Sequence, residues 1–157
     1  MKRNNTTKTF AIAAFSALAL SIAPAAMADN KGCTNATLQG SFGFIGTGVI
    51  VSPAVIAGPT AIVNALNFDG LGGVTSTVGS SSNNGSIGPL TEAGTYTVNN
   101  DCTGTFQALL SPAGFTAHYL FVIDQSVTEL QIICTDSGVV FSGTARRQFP
   151  VGDWRNN

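Results

Sequence analysis

Along most of this chain, short runs of β-branched and aromatic residues alternate with clusters of turn-forming residues, and that punctuation limits the fold more than any other feature. Eight segments carry it: residues 38–51, 61–68, 74–79, 94–99, 103–110, 116–123, 129–135 and 139–148. Between them lie Asp69-Gly70-Leu71-Gly72-Gly73 and Asp136-Ser137-Gly138, which supply the positive-φ positions that tight hairpins need. Ser111-Pro112-Ala113-Gly114 and Asp124-Gln125-Ser126 do similar work. No helical repeat competes, and the best place for a single short turn is the apolar loop at 53–57. The polar connection 80–89, rich in Ser, Asn and Gly, reads as a mobile surface loop. Short strands joined by short links pair consecutively and antiparallel, so eight of them make a closed up-and-down barrel or a sandwich. Closure removes the exposed edges that invite aggregation. An all-β antiparallel barrel of about eight strands is therefore expected, with the β-sandwich as the alternative.

Alternation assigns faces to these strands. Ile62, Asn64, Leu66 and Phe68 share one side of the second segment. In the sixth, Phe115, Ala117, Tyr119, Phe121 and Ile123 stand opposite Thr116, His118, Leu120 and Val122. Both faces of that segment are largely apolar, which an outer partner, an interior ligand cavity or lipid would explain. A lipid-facing barrel needs aromatic girdles. The chain has one Trp (Trp154) and two Tyr (Tyr96 and Tyr119), and one of the adjacent Arg146 and Arg147 would face lipid. A small outer-membrane barrel is accordingly a secondary reading.

Residues 1–28 have the three parts of a cleavable export signal: basic Lys2, Arg3 and Lys8, an apolar stretch from Phe10 to Ile22, and a small-residue end at Ala26-Met27-Ala28. Cleavage after Ala28 would release one domain, residues 29–157, to the periplasm or the exterior. That domain carries four basic residues against eight acidic ones, a net charge of −4. So few cations argue against a nucleic-acid partner. In an oxidising compartment two of Cys33, Cys102 and Cys134 can pair. Cys134 sits in an apolar run, where a thiol behaves as a small hydrophobe, so a Cys33–Cys102 bridge is expected.

The motif Cys33-Thr34-Asn35-Ala36-Thr37-Leu38-Gln39-Gly40-Ser41-Phe42-Gly43-Phe44 resembles the opening of a group of exported bacterial proteins of uncharacterised activity. The resemblance runs on through Phe68-Asp69-Gly70, through the stretch from Gly94 to Thr105, and to Ser142-Gly143-Thr144-Ala145-Arg146-Arg147-Gln148. It implies a calycin-like or allene-oxide-cyclase-like barrel, a class that includes ligand carriers, dirigent-type proteins and cyclases. It implies no particular activity.

Candidate chemistry is thin. His118 is the single histidine, and as a general base it would need an orienting carboxylate, for which Glu92, Asp124 and Glu129 are the candidates. Arg146 and Arg147 point to opposite faces, and an inward arginine either holds a carboxylate or polarises a carbonyl in the barrel mouth, or closes an ion pair with Glu92 or Asp69. Tyr96, Tyr119, Phe121 and Arg146 are the candidate ligand contacts. The glycine-rich turns lack the following helix that a dinucleotide site requires, and no Cys/His spacing fits zinc. No cofactor and no metal are expected. The leading expectation is a non-catalytic binder of a small apolar or amphipathic ligand or of a protein partner. A metal-free cyclase or isomerase using His118, Arg146 and Arg147 is the rival. The apolar strand faces also leave room for a homo-oligomer.

Overall fold

A computed structural model describes residues 32–148. The segment read as an export signal and the tail 149–157 lie outside the described residues. Ten strands form in chain order: β1 (Gly40–Ile50), β2 (Gly58–Phe68), β3 (Gly73–Ser76), β4 (Gly79–Asn83), β5 (Ser86–Pro89), β6 (Thr91–Val98), β7 (Thr103–Ser111), β8 (Phe115–Ile123), β9 (Glu129–Cys134) and β10 (Val139–Arg147). Eight of them close an antiparallel barrel in the order β1-β2-β3-β6-β7-β8-β9-β10, with β10 paired back onto β1. Each barrel strand lies beside its neighbours in the chain, so the topology is up-and-down. The eight segments expected as strands are these eight. The short apolar turn is also present, as a 3-10 turn at Ala54–Ile56.

The region 80–89 differs from its expected form. It is a hairpin, β4 and β5, laid against the first half of β2 from Thr60↔Asn83 to Asn64↔Gly79. Strand β3 takes the other end of the same β2 edge, pairing only at Asn67 and Phe68. The hairpin escapes a pattern search because none of its residues is fully buried and its β4 strand is Ser-rich. Backbone pairing holds it, with Thr60 Oγ1 donating to Asn83 Oδ1 at 2.6 Å, and neither needs an apolar alternation.

Inward positions build a dense core in one half of the barrel. Phe42, Phe121, Leu38, Leu66, Leu130 and Val74 are fully buried, and Phe68 meets both Phe42 and Tyr96 edge-on at centroid distances of 5.6 and 5.0 Å. That end is also sealed. Leu38, in the 3-10 turn Asn35–Leu38, caps it, and Asn35 ties the turn to β6 by accepting from the Val98 amide and the Tyr96 hydroxyl. The Cys33–Cys102 disulfide forms as expected and holds the same turn to the β6–β7 hairpin; Cys134 is free and buried. Arg147 closes the last gap. Its guanidinium lies 4.5 Å from the Phe42 ring centre and donates to the carbonyls of Val127 and Gln39.

Two acidic turns hold the links between strands. Asp69 Oδ1 accepts from the amides of Leu71, Gly72 and Gly73 at 2.7–2.9 Å, and this shapes the β2–β3 turn. Asp124 does the same in the β8–β9 turn, accepting from the Ser126 hydroxyl and from the amides of Thr128 and Glu129. Among the described residues no helix is long and apolar enough to cross a membrane.

Candidate functional site

The opposite end of the barrel is open. There the inward positions turn small: Gly46 and Gly48 on β1, Thr60 on β2 and Ala117 on β8 replace the phenylalanines and leucines of the sealed half. At Gly46 even a methyl group would stand 2.4 Å from Phe141 Cζ, so the glycine lets that ring fold across the barrel. A cavity of about 340 Å³ is left above these rings. This is near the lower end of the range for small-molecule sites. Its wall is mainly apolar, from Ile50, Ile62, Leu90, Leu110, Ala117, Val139 and Phe141. Val55, 88% exposed, and the exposed Ile56 and Phe115 form an apolar lip at the entrance.

Few polar groups reach this space. Thr60, Ser81, Asn83 and Asn84 stand on the hairpin side, with Tyr119, Cys134 and Asp136 opposite. Partial burial pushes the Asp136 carboxyl up. The His118 amide and imidazole, at 2.8 and 2.7 Å, outweigh that and leave it below the usual carboxylate range. The thiol of Cys134 lies 3.6 Å from Asp136 Oδ2, and burial pushes its pKa up, so it stays protonated and is a poor nucleophile.

Deeper in the barrel, Asn64 and Glu92 make a buried polar pair, 5% and 6% exposed, with Asn64 Nδ2 donating to Glu92 Oε1 at 2.8 Å. Burial raises the Glu92 carboxyl to about 7 against the opposing effect of that hydrogen bond. Asn64 Oδ1 is the buried side-chain oxygen left with no donor among the described residues. Burial, with the charges of Glu92, Cys134 and Asp136, also pushes the Tyr119 phenol up.

The residues singled out from sequence are scattered by the fold. Tyr119 lines the cavity, and it stacks on Phe106 with ring centres 4.3 Å apart. Tyr96 belongs to the sealed end, where its hydroxyl is spent on Asn35, and Phe121 is fully buried core. His118 and Arg146 are on the outer surface. The orienting carboxylate of His118 is Asp136, not Glu92, Asp124 or Glu129. Arg146 pairs with Glu129 at 2.7 Å across β9–β10, and Arg147 packs on Phe42, so neither meets Glu92 or Asp69. The arginines do face opposite ways, but the inward one balances its charge with carbonyls and a ring.

Two participants were missed, and a third was given the wrong partner. Asn64 had a signal, being a polar residue in register with Ile62, Leu66 and Phe68 on the inner face. Glu92 was named only as a partner for His118 or an arginine, and its pairing with Asn64 had no signal, because its strand begins at Thr91, earlier than the apolar pattern. Asp136 read only as a turn residue, although it continues the inward alternation of Ile132 and Cys134. No family model, no curated protein and no solved structure matches the chain.

Proposed function

We propose that this protein is an exported barrel that holds a small apolar or amphipathic molecule in the cavity at its open end, without turnover. One observation carries the reading: a single up-and-down barrel is packed solid and sealed at one end, and is hollow, apolar and lipped at the other. A barrel that merely needed a core would fill that half too, because an unfilled apolar cavity costs about 24 cal/mol per Å³. The apolar interior supports a water-facing barrel, since a lipid-facing one carries a polar lumen. Its outer face is mixed: β6 and β7 expose Thr91, Thr95, Thr97, Thr105 and Gln107, while Ile45, Val63, Leu120, Ile133 and Val140 are exposed on β1, β2, β8, β9 and β10. The protonated Cys134 thiol and the outward placement of His118 and Arg146 favour binding over catalysis.

The test is fluorescence of N-phenyl-1-naphthylamine titrated with the mature protein, beside a native mass spectrum. Saturable enhancement is expected. Ala117→Met and Leu110→Trp, which fill the cavity from two walls, should each weaken it at least about tenfold while cooperative unfolding persists. No enhancement by the wild-type protein, or enhancement that both folded variants retain, would remove the cavity from its function.

A further inference from the structure

The cavity also has an electrostatic character that limits what it can hold. Among the described residues its lining includes no lysine or arginine, and Asp136 is its charged member. Both described arginines end β10 at the sealed pole, Arg146 paired to Glu129 and Arg147 held over Phe42. The Asp136 carboxylate reaches the lining with His118 as its partner on the outer side. Glu92, deeper in the barrel and outside the lining, is the register partner of cavity-lining Leu110 and adds a second acidic group near the space. Burial first, and then the charges of Glu92, Cys134 and Asp136, disfavour negative charge on the phenol oxygen of cavity-lining Tyr119.

We infer that the cavity selects amphiphiles whose polar head is a neutral or cationic hydrogen-bond donor, an alcohol or an ammonium, and rejects carboxylates of the same chain length. The inference rests on the binding function proposed above and adds the class of ligand. A carboxylate entering this space would lose its hydration, meet no cation, and lie near Asp136 at low effective dielectric. An ammonium or hydroxyl head would instead donate to the Asp136 carboxylate or to the polar side chains of Ser81 and Asn84 across the entrance.

The experiment is displacement of N-phenyl-1-naphthylamine by octanol, octylamine and octanoate below their micellar concentrations, at about pH 8, where the amine is protonated and the acid ionised. Octanol and octylammonium are expected to displace the probe at concentrations at least about tenfold lower than octanoate. Asp136→Asn should narrow that gap several-fold, and Glu92→Gln provides a second, independent removal of negative charge if the first variant unfolds. Equal displacement by octanoate and octanol, with the probe bound, would overturn the selectivity and leave the binding function standing. Absence of probe binding by the wild-type protein would overturn both. An unchanged gap in both folded variants would show that these carboxyls do not set the preference.

Discussion

Glu92 is the residue on which the barrel's interior electrostatics turn. Its carboxyl is held among apolar walls by one amide donor, Asn64, and burial lifts it from 4.5 to about 7. A carboxyl raised on folding binds its proton more tightly in the folded state, so its contribution is full below pH 4.5 and declines as pH climbs through about 7. Denaturant midpoints measured from pH 4.5 to 8 should fall with pH, by up to about 3 kcal/mol from this group. Glu92→Gln keeps the shape, removes the charge, and should abolish most of that slope while raising stability at pH 8. An unchanged slope would place the titration elsewhere. Asp124 works in the opposite direction. The Ser126 hydroxyl and then the amides of Glu129, Thr128 and Ser126 lower it to about 2, so its contribution is present above 3.8 and is lost as acid approaches pH 2. Either acidic residue is visible in the sequence, but the sign of its effect depends on donors up to 28 positions away.

The elements divide by how they are held. Strands β7 and β8 alternate buried and exposed residues with almost no exception, because one face packs inward along their whole length. Such strands are legible from period alone. The β4–β5 hairpin has no buried face and was not legible as strand. Its anchor is the bond from Thr60 to Asn83, made by a β2 side chain that is 8% exposed. Thr60→Val should keep the barrel closed and cost about 0.5–1.5 kcal/mol, as one hydrogen bond does. Amide exchange should quicken selectively from Ser81 to Asn83. Uniform protection across the hairpin in that variant would show that backbone pairing alone secures it. The 3-10 turn Ala54–Ile56 was readable as a single short turn in the apolar loop 53–57, yet its place as the lip of a cavity was not.

At the scale of the molecule, closure comes from long β1 contacts on both sides, nine paired positions with β10 and eleven with β2. The disulfide adds a covalent tie across 69 residues, from the segment before β1 to the β6–β7 hairpin. Replacing both Cys33 and Cys102 with serine should cost about 2–5 kcal/mol in denaturant unfolding, with a folded barrel retained at low temperature. A smaller loss would mean that the sealing turn is secured by Asn35 and Leu38 instead. The sequence by itself determined the fold class, the eight barrel strands, their consecutive pairing and the cysteine pair. These depend on local periodicity, on turn chemistry and on the apolar run that sets Cys134 apart from the other two thiols, all of which are properties of neighbouring residues. Which half of the barrel is hollow was decided only in three dimensions, since the space above Phe141 exists because small residues from β1, β2 and β8 happen to share one layer. The same holds for Asn64 with Glu92 and for His118 with Asp136. A contact between side chains on different strands depends on register, and register is settled by the closure of the whole sheet.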